Sequence, residues 1–92
     1  MSQLEKVCKA LGADYSIQSI DWEDVIYRDF HNGYDVEISG LGFRNKATIY
    51  LWENKCRIVD TRYNVELARI HEVVEELYRE GNKWIEKKQK LQ

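Results

Sequence analysis

Apolar residues first recur at helical spacing. Leu4, Val7, Cys8 and Leu11 lie on one face of a short helix. Ser2-Gln3-Leu4-Glu5 has the form of a capping box, in which a hydroxyl accepts from the N–H three residues on. Gly12 supplies the stop, so the pattern predicts a helix over 3–11. From Tyr15 the period shortens. Residues 15–20 alternate only weakly and predict a strand or an extended connector, with a polar break at Asp21 to Asp24. Val25 to Phe30 and Tyr34 to Ile38 are strand-like and flank His31-Asn32-Gly33, a strong hairpin signal. Two registers stay open. A two-residue turn pairs Arg28 with Glu37, whereas a three-residue loop bulging at Gly33 pairs Phe30 with Tyr34 and Ile26 with Ile38.

Gly40 to Lys46 reads as a flexible basic loop. Beyond it, Ala47 to Trp52 and Lys55 to Asp60 predict a second hairpin closed by Glu53-Asn54. A two-residue turn there places Ile49 opposite Ile58 and Leu51 opposite Cys56, giving an apolar face of Ala47, Ile49, Leu51, Cys56 and Ile58. The other face then carries Tyr50 opposite Arg57 and Trp52 opposite Lys55, aromatic–cation pairs of roughly 0.2–1 kcal/mol each. Asn64 reads as the cap of a last helix. Its stripe runs Leu67, Ile70, Val74, Leu77, Gly81 and Trp84, widened by Val73, Tyr78 and Ile85. The phase passes through Gly81 unchanged, which favours one continuous helix to about residue 88 over a break.

These elements predict an α+β fold: an antiparallel β-meander of about four strands, a short N-terminal helix and a long C-terminal amphipathic helix. Ninety-two residues suit a single domain over 1–92 with one modest core and little room for a deep cleft. The composition, 43% apolar and 33% charged, is that of a globular chain. No apolar run approaches the ~18 residues of a membrane span, and the charged segment 1–11 lacks a signal-peptide core, so a cytoplasmic protein is expected. Cys8 and Cys56, far apart, are expected to be buried, reduced thiols.

Charge changes the picture more than composition does. Residues 14–37 carry seven carboxylates against Arg28 alone. Residues 38–63 and 83–92 are basic, and residues 64–82 are acidic. Of the acidic segment, Asp21, Glu23, Asp24, Asp35 and Glu37 are spaced so that several can share one surface, which could imitate a phosphate track and bind a basic groove on another protein. On the second hairpin, Tyr50, Trp52, Lys55 and Arg57, with Arg44 and Lys46 in the preceding loop, combine stacking rings with cations, as a small single-stranded nucleic-acid surface does.

Catalytic chemistry finds little footing. Cys8, Cys56, His31 and His71 lack the spacing of a metal site, so neither a metal nor another cofactor is expected. Cys56 with His71 is the one nucleophile–base pairing, and Cys56 falls on the expected core face, where an apolar setting raises the thiol pKa. Gly40-Leu41-Gly42 lacks both GxGxxG and a following GK[ST].

The run Gly33-Tyr34-Asp35-Val36-Glu37-Ile38-Ser39-Gly40, with Ala47-Thr48-Ile49-Tyr50-Leu51-Trp52, resembles a pattern in small orphan proteins of Gram-positive bacteria and their phages or mobile elements. The resemblance covers about a quarter of the chain and carries over no functional residue. It implies a small protein that acts by binding, with anti-CRISPR-like inhibitors of host nucleases among the candidates. The expected function is therefore a non-catalytic protein-binding domain that blocks a nucleic-acid enzyme through its acidic surface. The alternative is a single-stranded nucleic-acid-binding module. A monomer is expected, or a homodimer through the Leu67–Trp84 helix. The basic end of that helix, Lys83 to Lys90, extends past what so small a sheet needs and is a further candidate contact.

Overall fold

The structure, a computed structural model, describes residues 2–90. Helix α1 spans Gln3–Leu11. The Ser2 hydroxyl oxygen accepts from the Glu5 N–H at 3.2 Å, so the cap forms as expected, although the Glu5 carboxylate meets the Ser2 hydroxyl rather than its backbone. Gly12 closes the helix, its N–H donating to the Cys8 carbonyl. Gln3 ties the start of α1 to the segment after β3, donating to the carbonyls of Leu41 at 3.1 Å and Arg44 at 2.6 Å.

Five strands follow in chain order and pair in that same order as an antiparallel meander: β1 Ser16–Ile20, β2 Glu23–Asp29, β3 Tyr34–Ser39, β4 Lys46–Glu53 and β5 Arg57–Glu66. The class is the expected α+β one, with five strands rather than about four. The weak segment after Tyr15 is a full strand. Its partner begins earlier than the polar residues suggest: only Asp21 and Trp22 form the turn, both with positive φ, while Glu23 and Asp24 already pair with Ile20 and Ser19. Left-handed conformations at both central residues make the two-residue turn whose twist suits a hairpin.

The β2–β3 hairpin takes the three-residue loop. Ile26 pairs with Ile38, Tyr27 with Glu37 and Arg28 with Val36, and the Phe30 N–H donates to the Tyr34 carbonyl at 3.1 Å. Gly33 has φ +89, which a side chain would strain. After β3, Gly40 to Asn45 turns tightly and Leu41 is buried in the core.

The β4–β5 hairpin departs from the expected register. Its turn is Asn54-Lys55-Cys56, with Asn54 and Lys55 left-handed, so Trp52 pairs with Ile58 and Glu53 with Arg57. A register shift between Leu51 and Trp52 then sets Leu51 opposite Asp60 and Ile49 opposite Arg62, and a second falls between Ala47 and Ile49. Ala47, Ile49 and Leu51 keep the predicted core face, but Cys56 and Ile58 are exposed. The longer turn accounts for both, leaving Cys56 in the turn and Ile58 on the face of Trp52, and the two bulges displace the rest of β5. Asn64 caps nothing; it is a left-handed residue inside β5, which runs on to Glu66. A 3-10 turn, Leu67–Arg69, then leads into α2, Ile70–Lys90.

Both helices contribute to one core, on the face of Ile26, Val36, Ile38, Ile49 and Leu51. Ile70, Val74 and Leu77 are fully buried there. Arg28 joins β2 to α2: it donates to Glu75 at 3.1 Å and to the Tyr15 hydroxyl at 3.2 Å, and its guanidinium lies over the rings of Tyr15, Phe30 and Tyr78. Helix α2 is unbroken at Gly81, where a Cβ would come within 3.1 Å of the Tyr34 ring. That ring is held by its hydroxyl on Glu53 and by Trp84, 5.7 Å away between centroids. The basic end is anchored as well, Lys88 donating to Glu53 at 2.9 Å.

Two expectations follow. Gly81→Ala gains about 1 kcal/mol of helix propensity but forces a methyl against a pinned ring, where overpacking costs about 1–3 kcal/mol. The variant should therefore be less stable by about 1 kcal/mol in urea denaturation, and a gain in stability would refute the close packing. For the thiols, Cys56 in native protein should react with a disulfide reagent as fast as a free cysteine, and Cys8, half-buried and with its pKa raised by burial, should lag it at least about tenfold. Single Cys→Ser variants assign the two rates.

Candidate binding face of the sheet

Strand alternation divides the sheet into a face covered by the helices and an open one. With Tyr34, Val36 and Ile38 in the core, Asp35 and Glu37 must point the other way. β3 is the middle strand, so both are enclosed by neighbours on the same face. Glu37 lies between Tyr27 of β2 and Tyr50 of β4, and Asp35 lies between Asp29 and Trp52. They are 8% and 5% exposed although no helix lies over them.

Their environments differ. Glu37 accepts from the Trp52 indole N–H at 3.2 Å. Its carboxyl is pushed above the usual carboxylate range first by burial, then by the negative charges of Glu23, Asp21 and Asp35. Asp35 is raised mainly by burial as well, with the Tyr27 hydroxyl first and Lys55 second acting in the opposite sense. The groups turned towards the Asp35 carboxylate are the Tyr27 hydroxyl and the Lys55 backbone N–H. The Tyr27 hydroxyl is buried and makes no well-formed hydrogen bond, and its pKa is raised by burial and by Asp35. These groups line a cavity of about 230 Å³, with Gln18 and Ile20 of β1 on one side and the Lys55 chain at the rim. The Lys55 ammonium lies 5.9 Å from the centre of the Tyr27 ring.

The five acidic residues singled out from the sequence are thus only partly gathered. Asp21, Glu23, Asp35 and Glu37 act on one another across the open face. Asp24 alternates with Glu23 and belongs to the opposite face, beside the start of α1. Glu23 is also a latch, accepting from the Ser39 hydroxyl at 2.8 Å and from the Gly40 N–H at 2.6 Å, so it holds the end of β3. Asp21, in the turn, is exposed.

The six residues of the nucleic-acid alternative are dispersed. Tyr50 and Trp52 do share the open face, but their cross-strand neighbours on β3 are Glu37 and Asp35. Arg57 pairs with Glu53 on the other face and donates to it at 2.8 Å. Arg44 donates to Thr48 and lies over Phe43, and Lys46 pairs with Glu66 at the far end of β4. Lys55 belongs to the acidic cavity. The rings therefore stand among carboxylates, which repel a phosphate backbone. Cys56 and His71 do not meet either: Cys56 lies at the sheet end that Lys88 reaches, and His71 is seventeen residues earlier on α2, about 25 Å along its axis. Among the described residues no group of three or more His, Cys, Asp or Glu is arranged to hold a metal ion, and no helix is long and apolar enough to cross a membrane.

The sequence reading missed Gln18, Ile20 and Tyr27. The signal for Tyr27 was present: the three-residue loop at His31–Gly33 sets it opposite Glu37. Comparison with known protein families, curated proteins and solved structures finds no match for this chain.

The buried carboxylates have a consequence for stability. Burial raises the Asp35 pKa, so the native state holds that proton to higher pH than the unfolded chain does. Ionised Asp35 thus costs stability, and the cost grows as pH rises from the ordinary value of 3.8 through the raised native one. Asp35→Asn should stabilise the protein at pH 7 by about 0.5–2 kcal/mol, and the gain should shrink towards zero as pH falls below about 4. Denaturation curves across that range test the sign.

Proposed function

We propose that the chain is a non-catalytic protein-binding domain whose open sheet face docks a basic segment of a partner protein. The observation that carries this reading is Asp35 and Glu37, two carboxylates enclosed on a face with no second layer, beside Trp52 and Tyr27 and facing outward into a cavity. Carboxylates held in this way destabilise the free protein, and a cationic partner relieves the penalty. Sites that trade stability for recognition behave so. The exposed Asp21 extends the negative field towards the rim.

A narrower form of the proposal is a phage or mobile-element protein, anti-CRISPR-like, that lays this face on the basic nucleic-acid groove of a host nuclease. Its support is the resemblance of residues 33–40 and 47–52 and the run of carboxylates between Asp21 and Glu37. The carboxylates form a compact patch rather than a line, which suits capture of a few cationic side chains better than imitation of a long phosphate track.

Fluorescence titrations separate this reading from nucleic-acid binding. A dye-labelled peptide of mixed Arg, Lys and Gly should bind at ~50 mM salt and weaken steeply by ~200 mM, because contacts between exposed charges are screened. Asp21→Asn with Glu37→Gln should weaken it at least about fivefold. A labelled single-stranded oligonucleotide should not bind at the same low salt, where phosphate contacts are strongest. Oligonucleotide binding without peptide binding would reverse the assignment.

A further inference from the structure

The cavity beneath Trp52 is more specific than an acidic surface needs to be. We infer that it is a receptor for a single arginine side chain, whose guanidinium bridges Asp35 and Glu37 between the rings of Trp52 and Tyr27; this rests on the protein-docking reading above.

Size is the first argument. About 230 Å³ is below the ~300–1,000 Å³ typical of small-molecule sites and far above the ~30 Å³ of one water. It suits one side-chain head group with its last methylenes.

Unsatisfied polar groups are the second. Asp35 is 5% exposed and lines the cavity; the Tyr27 hydroxyl and the Lys55 backbone N–H lie on its side, and neither carries a positive charge. The Tyr27 hydroxyl on the same wall is buried and unpartnered. Buried polar groups without partners are rare in native proteins, and here one of them, the Tyr27 hydroxyl, shares its space with a nearly buried carboxylate. A ligand that donates several hydrogen bonds and carries positive charge answers both. The cation on this cavity, Lys55, leaves the demand unmet, since its ammonium lies 5.9 Å from the centre of the Tyr27 ring and, among the described residues, makes no ion pair within 4 Å with either carboxylate.

Geometry selects guanidinium over ammonium. Asp35 and Glu37 are two residues apart on one strand, so their backbone positions are ~7 Å apart with side chains roughly parallel. One ammonium nitrogen reaches both only if the carboxylates lean together against their repulsion. A guanidinium has donors on opposite edges of a plane and spans the wider gap. Its flat faces also stack on aromatic rings, and the Trp52 indole is already fixed by its bond to Glu37. The protein solves a similar problem internally, where Arg28 sits among Tyr15, Phe30 and Tyr78 and meets Glu75.

The test uses the full chain and nuclear magnetic resonance. The Trp52 indole N–H is the reporter. Nα-acetyl-arginine amide is titrated to ~50 mM, with the lysine and norleucine analogues as comparisons. The arginine derivative should shift the Trp52 indole resonance saturably, with a Kd in the millimolar range expected of one side chain. Lysine should bind at least threefold more weakly, and norleucine should give no saturable shift. Asp35→Asn should weaken arginine at least tenfold while the other amide resonances keep their positions. Lys55→Met, which removes the cation at the rim, should tighten it. The inference is overturned if arginine gives no saturable shift, if norleucine or lysine matches it, or if Asp35→Asn binds it as well as the parent does. Should the basic peptide bind while the Trp52 resonance stays still, the pocket assignment falls and the docking face stands. Should arginine fill the pocket while the peptide fails to bind, the pocket stands and the protein-docking reading falls.

Discussion

Everything on the open face depends on the position of β3. It is the middle strand of five, hydrogen-bonded on both sides, and Tyr34 to Ile38 are all buried whether apolar or charged. Tyr34, Val36 and Ile38 are claimed by the helix-covered core, and the period of two leaves Asp35 and Glu37 one direction only. A one-residue slip would put two carboxylates into the core and three large apolar residues outside. The core thus fixes the register, and the register places the carboxylates. Their burial is a consequence of the apolar residues between them.

Two kinds of carboxylate result, and their partners distinguish them. Glu53, Glu75 and Glu23 are tied to Lys88 and Arg57, to Arg28, and to Ser39 with the Gly40 N–H. They fasten β4 to α2, β2 to α2 and β2 to the end of β3. Asp35 and Glu37 fasten little: one indole N–H meets Glu37, and Asp35 has only the Tyr27 hydroxyl and the Lys55 backbone N–H beside it. An identical functional group is structural where strong donors from another element lie across from it and available where they do not. This difference, more than the number of acidic residues, marks the open face as the place for a partner.

The sheet is also asymmetric in its supports. At one end Gln3 and Glu23 hold the segment that follows β3. At the other, Asn32 meets Asn82, and Tyr34, Glu53 and Lys88 lock the end of α2 onto the hairpin turns. The open face is thereby presented on a sheet braced from behind, which is what precise recognition by a few side chains requires.

Much of this fold was legible in the chain. The Ser2 cap, the apolar face of α1 and the phase through Gly81 are local or strictly periodic, and a period needs no knowledge of the rest of the molecule. Gly33 likewise demanded a turn, and Ala47, Ile49 and Leu51 announced a core-facing strand. The bulges in β5 were not legible, because Val59 to Val65 alternates without a break and an extra residue in the pairing leaves no trace in that pattern. With them went Cys56, Ile58 and Asn64, whose places depend on where the turn falls. The acidic residues show the division most clearly. The sequence by itself determined that Asp21, Glu23, Asp24, Asp35 and Glu37 are near one another along the chain, since proximity in a meander follows from order. Only the tertiary structure decided that Asp24 faces away, that Glu23 is a latch, and that Asp35 and Glu37 share a cavity with Tyr27 and Trp52. Burial on an uncovered face depends on the side chains of neighbouring strands, and those meet only once the register is set.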